Sequence, residues 1–184
     1  MDPIFYSSYP EFFSEAPFEE VLEELTPYFG TNIVYGTYTI ARKSCKFTSK
    51  DNIKNPSLTS YANASTYPYE KSPWIKYFKK EIEKLTETKY DYVLVHLYPD
   101  GEASIAWHND KEALDSAVVS ISLGATRRMK FRHLGETRGC IQEFSLKHGD
   151  VLVMEEGCQT SYEHQIPKEK RVKDPRINMT WRKF

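Results

Sequence analysis

From residue 90 to the end of the chain, the hydrophobic pattern has a period of two, which is typical of β-strands. Turn signals such as Pro99-Asp100-Gly101 and His148-Gly149 separate short alternating segments, and no helical pattern lies between them. Seven strands are predicted, over residues 90–98, 103–110, 117–124, 127–133, 140–146, 150–155 and 176–184. Closely spaced strands without intervening helices favour an antiparallel sandwich or barrel over a parallel α/β sheet.

The first 90 residues carry two helical patterns. Apolar residues at positions 18, 21, 22 and 25 have helical spacing, and six glutamates without Lys or Arg lie between residues 11 and 24. This pattern predicts an amphipathic helix with an acidic outer face. A second helix is expected to begin at Pro73 with Ser72 as its N-cap, because apolar residues follow at 74, 75, 78, 82 and 85.

Between the two helices, residues 44–72 are polar and rich in Ser, Thr, Asn and Tyr. A polar segment of this length is either disordered or a functional lid, and the residues alone leave both interpretations open. We therefore predict one domain with four parts: an N-terminal helical extension over 1–28, a candidate lid region over 29–72, a supporting helix over 73–88 and a strand-rich core over 89–184.

Composition excludes several classes of protein. The 184 residues include 25 basic and 26 acidic side chains. The chain therefore lacks the net positive charge that would indicate a nucleic-acid-binding protein. Three cysteines without a C-x-x-C spacing argue against a disulfide scaffold and favour a reducing compartment. No signal peptide and no apolar stretch of about 20 residues is evident in the sequence. We expect a soluble intracellular protein of the nucleus or cytoplasm, with no membrane partner and with a monomer as its simplest state.

Two histidines and a carboxylate in the strand-rich region have the composition of a metal site. His108 and Asp110 lie two residues apart on a predicted strand and should project from one face. His164 follows 54 residues later. Two imidazoles and a carboxylate form the facial triad that binds non-haem Fe(II) and leaves positions open for substrates. Taken singly, an H-x-D pair arises by chance and His164 is as easily a surface histidine.

The last predicted strand carries two arginines on one face. Its alternating residues are Arg176, Asn178, Thr180 and Arg182 on the polar face, and Ile177, Met179 and Trp181 on the apolar face. Two guanidinium groups inside a barrel are costly to bury without an anionic partner. A small dicarboxylate would supply that partner through charge-assisted contacts. The alternative is an edge strand whose polar face lies in water.

An iron triad with a dicarboxylate pocket is what a 2-oxoglutarate-dependent oxygenase requires. The runs HLYPDGEASIAWHNDKE, SISLGATRRMKFRH, LKHGDVLVME, YEHQIP and PRINMTWRKF resemble, in this order, the AlkB family of nucleic-acid dealkylases. The eukaryotic-type DNA repair branch is the most similar. The resemblance extends from about residue 29 to the C-terminus, and its R-x-N-x-x-x-R ending is distinctive. It implies an α+β, mainly β fold: a double-stranded β-helix (jelly roll) with supporting N-terminal helices and a nucleotide-recognition lid.

The resemblance implies that His108, Asp110 and His164 bind Fe(II) and are the catalytic residues. It also implies oxidative demethylation of 1-methyladenine and 3-methylcytosine type bases in DNA. Dioxygen and the cosubstrate 2-oxoglutarate are consumed, and succinate, carbon dioxide and formaldehyde are released. Because a base must leave the stack to reach buried iron, the protein needs contacts to a flipped base and to phosphates. The alternative is a related oxygenase that acts on RNA, on a protein or on a small molecule.

The resemblance assigns cosubstrate binding to five residues. Arg176 would pair with the distal carboxylate of 2-oxoglutarate, helped by Tyr98 and Asn178. Arg182 would contact the carboxylate nearer the iron. His96 stands where the family usually has Asn. An imidazole there can donate a hydrogen bond to a carboxylate, but it can also compete for the metal or make the site pH-sensitive.

The resemblance also implies substrate contacts. Glu112 corresponds to an acidic residue beside the base, where a carboxylate accepts from an exocyclic amine, although an exposed ion pair is the alternative. Arg42 and Lys43 resemble the basic pair that opens the lid, and Tyr61 would stack on the flipped base, with Phe47 and Tyr67 as alternatives for that role. A surface tyrosine in a loop is the alternative for Tyr61.

Two basic segments are candidates for phosphate contacts. Residues 126–138 carry a net charge of +4 and include Arg127 and Arg128, and residues 168–183 carry a net charge of +5. Opposite the acidic segment at 11–24, they give the charge asymmetry expected of a polyanion-binding protein.

Overall fold

The computed structural model describes residues 5–31, 34–35, 38–59 and 64–184. The helices are α1 (Phe18–Leu25), α2 (Pro56–Thr59), α3 (Pro73–Thr86) and α4 (Cys158–Ser161). The strands are β1 (Tyr6–Tyr9), β2 (Val34–Tyr35), β3 (Tyr38–Thr39), β4 (Lys43–Thr48), β5 (Thr66–Pro68), β6 (Tyr92–Tyr98), β7 (Ile105–His108), β8 (Val118–Gly124), β9 (Arg127–His133), β10 (Gln142–Leu146), β11 (Val151–Met154), β12 (Tyr162–Ile166) and β13 (Arg176–Arg182). Short 3-10 turns occur at Thr26–Tyr28, Lys50–Asn52, Tyr69–Lys71 and Lys111–Ala113.

The described strands form two large sheets and one small pair. The larger sheet has the order β1-β11-β8-β13-β6-β4-β5, the smaller has the order β10-β9-β12-β7, and β2 pairs with β3. Among these strands, β4 and β5 pair in parallel and the other pairs are antiparallel. Side chains from both large sheets line one cavity, so the sheets face each other as in a jelly roll.

Helix α3 forms where the sequence predicts it. The Ser72 hydroxyl caps the helix by accepting a hydrogen bond from the Ile75 amide at 3.1 Å. The apolar stripe of α3 is buried in the same core cluster as Ile177, Met179 and Trp181, the apolar face of β13. The helix therefore covers one face of the larger sheet and leaves the polar face of β13 toward the cavity. Within the described ranges, no helix has both the length and the apolar character needed to cross a membrane.

The seven strands predicted from the period-two pattern form β6 to β11 and β13, each with ends within two residues of the prediction. Strand β12 is not predicted from the sequence. Its buried positions are Tyr162, His164 and Ile166, so a histidine occupies the middle of the inward row and weakens the hydrophobic alternation.

The helix predicted over 11–24 is wrong in its first half. Helix α1 begins at Phe18, and residues 10–15 form turns in which Phe13 is buried. Pro17 explains the difference. Its ring fixes φ and removes an amide hydrogen, and it disfavours helical backbone at Ala16.

The candidate lid region contains a strand of the larger sheet. Strand β4 pairs with β6 over its whole length, and Cys45 and Phe47 are fully buried in the core. The prediction that residues 44–72 form a polar lid is therefore wrong for the part that lies in β4. The two apolar residues alternate with polar ones, which is a strand pattern too short to stand out in a polar segment.

Candidate metal and cosubstrate site

The structure brings His108, Asp110 and His164 together. Their candidate ligand atoms all lie within 4.8 Å of one another. His108 and His164 are direct cross-strand neighbours on β7 and β12, with ring centroids 4.3 Å apart. Pairing of these two strands therefore brings together two histidines that are far apart in the sequence.

A backbone turn, not strand alternation, directs Asp110 toward the histidines. Strand β7 ends at His108, and Asp110 begins the 3-10 turn that follows. Gln159 of α4 holds this turn. Its Oε1 accepts from the Asp110 amide at 2.8 Å, and its main-chain oxygen accepts from the Asn109 side chain at 2.8 Å. Sequence reasoning missed Gln159, because a buried glutamine belongs to no motif.

Buried atoms of the triad lack partners among the described residues. Oδ2 of Asp110 and Nδ1 of His164 are buried without a hydrogen bond there. Nδ1 of His108 lies 2.8 Å from the main-chain oxygen of Ala106, which leaves its Nε2 for a ligand. Buried polar atoms without partners are costly, and a bound cation would satisfy them. Two imidazoles and a carboxylate are the donor set that suits non-haem Fe(II).

The surroundings favour the protonation states that a metal needs. Burial and the nearby His108 lower the pKa of His164 to about 3, so this imidazole is neutral at physiological pH. Burial alone would raise the pKa of Asp110, but Arg182, His164 and His108 together hold it below its usual value. Metals bind neutral imidazole and ionised carboxylate, and the site presents both forms.

Arg176 provides a buried cation with unused hydrogen-bond donors. Its Nη2 donates to the Ser122 hydroxyl at 2.9 Å, while Nε and Nη1 are buried with no partner in the described structure. The guanidinium carbon lies 5.1 Å from the ring centroid of Tyr98. Burial lowers the pKa of Arg176 to about 10, so the group is still charged at neutral pH. Because Arg176 lines the same cavity as the triad, an anionic ligand would bind beside a metal.

Arg182 contacts two acidic side chains. Its Nη2 donates to Oδ1 of Asp110 at 2.8 Å, and its Nη1 donates to Oε1 of Glu112. Burial opposes the charge of Arg182, but these two carboxylates raise its pKa above the usual value. The sequence assigned Arg182 to the cosubstrate and Glu112 to the base, and the structure adds a direct contact between them.

A family model described as the 2OG-Fe(II) oxygenase superfamily matches residues 8–182. This chain belongs to that superfamily. It is 29% identical to the DNA oxidative demethylase ALKBH2 of Homo sapiens over 195 residues, 96% of this chain and 72% of that protein. It is 32% identical to the alpha-ketoglutarate-dependent dioxygenase alkB homolog 3 of Mus musculus over 146 residues, 69% of this chain and 51% of that protein.

The solved structure of OsALKBH1 is similar in fold, with a TM-score of 0.66 and 15% identity over the full length of both chains. The resemblance to AlkB-like oxygenases and the jelly-roll prediction are therefore confirmed. The family implies Fe(II) and 2-oxoglutarate, and the donor set of the triad and the cation beside it fit both groups.

Tyr98, His96 and Asn178 line the cavity of this oxygenase together with the triad. In the strand register, Tyr98 lies opposite Arg176 and His96 lies opposite Asn178. The Asn178 side-chain amide donates to the Ser120 hydroxyl at 2.8 Å and to a main-chain oxygen at 2.9 Å. Both amide protons are engaged, which fixes the orientation of Asn178 in the oxygenase.

His96 is buried and neutral in this oxygenase. Its Nδ1 lies 2.6 Å from the Ser44 hydroxyl. Burial, and then the charges of Arg42 and Arg182, hold the pKa of His96 well below 6.5. Among the described residues, the group able to hold a metal does not include His96. The expectations that His96 competes for the metal or changes charge near neutral pH therefore do not fit the structure.

Lys46 adds a cation that the sequence does not indicate. It lies on the same face of β4 as Ser44 and is only 2% exposed. Its Nζ donates to the main-chain oxygen of Leu58, and it lines a small cavity with Glu112 and Arg182. A lysine in a polar segment gave no sign of burial, because the strand that buries it was not predicted.

The prediction that Arg127 contacts phosphate must be corrected, because Arg127 is 1% exposed. Its Nε donates to the Glu169 carboxylate at 3.0 Å. Its Nη atoms donate to the main-chain oxygens of Asp100, Ala103 and Pro167. The guanidinium therefore ties loops together inside the oxygenase.

The rest of the basic segment over 126–138 is largely neutralised. The ion pairs are Arg128 with Glu169 at 3.0 Å, Lys130 with Glu143 at 3.4 Å, and Arg132 with Glu163 at 2.6 Å. Glu143 and Glu163 lie on the flanking strands β10 and β12, so a charge count along the segment cannot include them. Arg128, 40% exposed, is shared between Glu169 and Glu143, which weakens its case as a phosphate ligand.

The predicted lid residues differ in what the structure describes. Nη1 of Arg42 donates to the main-chain oxygen of Ser104 at 2.5 Å, and its Nε is buried with no partner in the described ranges. Lys43 is half-buried at the start of β4. Tyr61 lies outside the described residues, so its stacking role stays a prediction.

Proposed function

We propose that this oxygenase removes alkyl groups oxidatively from damaged bases in DNA and so repairs them by direct reversal. One observation carries the proposal: the cavity that contains His108, Asp110 and His164 also contains Arg176, two of whose guanidinium nitrogens have no hydrogen-bond partner among the described residues. A metal site with an adjacent anion site fits a keto-diacid cosubstrate. The relatives named DNA oxidative demethylase ALKBH2 support DNA as the substrate.

The residues of this chain have separate tasks in the proposed reaction. When bound, Fe(II) and 2-oxoglutarate supply the oxidation of the alkyl group by dioxygen, with succinate, carbon dioxide and an aldehyde as products. The triad holds the metal, and Arg176 binds a carboxylate of the cosubstrate through its two unused nitrogens. Arg182 keeps the Asp110 carboxylate ionised. Tyr98 packs on the Arg176 guanidinium and fixes its direction.

The proposed substrates are bases of the 1-methyladenine and 3-methylcytosine type. Glu112 is the proposed contact to the exocyclic amine of the base. Its contact with Arg182 uses Oε1, so Oε2 is available as a second acceptor. Tyr61 as a stacking residue, and Arg42 and Lys43 as basic lid residues, are further parts of the proposal.

Phosphate contacts are best assigned to the second basic segment. Lys170, Arg171 and Lys173 are exposed, and none of them forms an ion pair with a described residue. Unpaired exposed cations release counterions when they bind phosphates, so DNA affinity should fall as the salt concentration rises.

We also propose that the enzyme acts as a monomer and is located in the nucleus or cytoplasm.

The test uses matched DNA and RNA oligonucleotides that carry 1-methyladenine or 3-methylcytosine. The protein is incubated with Fe(II), oxygen and 2-oxoglutarate, and mass spectrometry follows the loss of one methylene. Loss from DNA that depends on 2-oxoglutarate supports the proposal. Loss of the methylene from RNA alone would show that RNA, not DNA, is the substrate. No loss from either polymer would overturn the proposal in favour of a protein or small-molecule substrate. The control variant is His164→Ala.

A second measurement separates a working enzyme from a binding module that has lost turnover. Anaerobic addition of Fe(II) and 2-oxoglutarate should produce a metal-to-ligand charge-transfer band. Without that band, the protein would be a binding module.

The proposal that the enzyme is a monomer has its own test. Light scattering on the purified protein should give the mass of one chain.

A further inference from the structure

A separate cavity, of about 610 Å³, lies between α3, the Lys50–Asn52 turn and the start of β6. It shares no lining residue with the cavity of the metal triad. Its volume is in the range of sites that hold small molecules or a segment of a larger ligand. Five lysines line it, namely Lys76, Lys79, Lys80, Lys84 and Lys89. We call it the lysine groove.

The lysine groove has a surplus of positive charge. Two acidic residues line it, and Glu83 is already paired with Lys79 and with Lys89. The other acid, Asp91, accepts a hydrogen bond from the Phe184 amide at 2.9 Å. The groove therefore has cations left over after its own acids are satisfied.

Those cations are Lys76, Lys80 and Lys84. All three are exposed, and none forms an ion pair with a residue in the described part of the chain. They lie four residues apart on one face of α3, so neighbours are separated by about 6 Å along the helix axis. One small anion cannot reach all three, whereas a ligand with several phosphates in a row can.

Tyr69 gives an independent indication of a ligand. Its side chain lines the groove and is 92% buried (8% exposed), and its hydroxyl has no hydrogen-bond partner among the described residues. Burial, and then the nearby charges of Glu83 and Asp91, raise the pKa of Tyr69 far above its usual value. The hydroxyl is therefore a donor at any physiological pH, and a phosphate oxygen is an acceptor for it.

We propose that the lysine groove binds a row of phosphate groups through Lys76, Lys80, Lys84 and the Tyr69 hydroxyl. The same chemistry occurs in the backbone of a nucleic acid and in a free polyphosphate. The proposal stands on the groove alone and does not depend on the dealkylase activity or on the iron site.

The first test measures affinity on the full chain with two probes. Calorimetry uses inorganic tripolyphosphate, and fluorescence anisotropy uses an unmodified single-stranded DNA oligonucleotide. The variant is Lys76→Gln/Lys80→Gln/Lys84→Gln. For tripolyphosphate, the matched control is Lys54→Gln/Arg138→Gln/Lys147→Gln, which removes the same charge from exposed cations that lie outside the groove and have no proposed phosphate role.

We expect the groove variant to bind tripolyphosphate about tenfold more weakly and the control to change less than about twofold. An equal loss of DNA affinity would identify the nucleic-acid backbone as a ligand of the groove. Loss for tripolyphosphate alone would identify a free polyphosphate. Unchanged affinity for both probes, or the same loss in the control, would overturn the proposal.

The second test is Tyr69→Phe, which removes only the hydroxyl. Because that hydroxyl has no described partner, a purely structural tyrosine predicts an unchanged or higher melting temperature and unchanged affinity. Our proposal predicts the same melting temperature with several-fold weaker tripolyphosphate binding. Unchanged binding by a folded Tyr69→Phe protein would remove Tyr69 from the site and overturn the proposal as stated.

Discussion

Nη2 of Arg182 donates to Oδ1 of Asp110 at 2.8 Å, and both side chains are 4% exposed. The guanidinium thus occupies one carboxylate oxygen and leaves the other, Oδ2, buried and without a described partner. It also stabilises the negative charge that a metal requires. Arg182, to which the family resemblance gives a cosubstrate role, therefore also positions Asp110, a candidate metal ligand.

The first prediction concerns Arg182→Met. Removing the guanidinium raises the pKa of Asp110, so protons compete better with the metal as pH falls. Titration with Mn(II), followed by electron paramagnetic resonance, should show a larger loss of affinity at pH 6 than at pH 8. Arg176→Met is the control and should leave this pH dependence as in the wild type. An equal loss at both pH values would contradict the prediction.

The second prediction concerns Arg176→Met. The variant loses the two nitrogens that have no described partner, so the KM for 2-oxoglutarate should rise by about 10- to 100-fold. Mn(II) affinity should stay within about twofold, because Arg176 is not in the group that can hold the metal. Steady-state assays at varied 2-oxoglutarate measure the effect, and Arg128→Gln serves as a charge-matched control. A wild-type KM would contradict the role of this face of β13.

The third prediction separates two roles of Glu112. Glu112→Gln keeps an oxygen for Arg182 but removes the negative charge. If Glu112 contacts the base, kcat/KM should fall about tenfold or more for cationic 1-methyladenine and much less for a neutral methylated base. The comparison uses two oligonucleotides that differ only in the lesion. An equal fall in kcat/KM for both lesions would show that Glu112 acts only through its contact with Arg182.

The fourth prediction concerns stability below neutral pH. Because burial holds the pKa of His96 well below 6.5, the unfolded chain binds a proton near pH 6.5 that the folded chain does not. His96 therefore costs no stability above that pH, and the free energy of unfolding falls as pH drops, by at most about 1.4 kcal/mol per pH unit.

Urea unfolding of the metal-free protein between pH 8 and pH 5 measures this dependence. His96→Asn should reduce the slope below pH 6.5, while His164, whose pKa is lowered to about 3, continues to contribute. Between pH 7 and pH 8, the two proteins should have the same slope. Parallel curves over the whole range would show that His96 does not titrate as the structure indicates.

The sequence predicted those parts of the fold that depend on local pattern. Alternation located seven strands, and Ser72 located the start of α3, because these signals act between residues close in the chain. The triad was also predicted, since His108 and Asp110 are close in sequence and the family resemblance supplied His164. In the structure, the β7–β12 pair is what joins them.

What the sequence missed depends on contacts between distant residues. Strand β4 is identified by its pairing with β6, and the buried Lys46 follows from that pairing. Arg127 looked like a free surface cation until the fold brought Glu169 to it from 42 positions away. Gln159 supports Asp110 across 49 positions. Charge and hydropathy patterns within a short stretch of sequence cannot identify partners that lie so far away in the chain.

Strand β7 lies at the end of the smaller sheet, with β12 as its one neighbour in that sheet's order. Two of the three candidate ligands are on β7 or directly after it, and the third is on β12. Edge strands open more readily than central ones, so local fraying of β7 would take the metal site apart while the larger sheet stays closed. A metal bound at this site should then stabilise the pairing of β7 with β12 and slow amide hydrogen exchange in these two strands more than elsewhere.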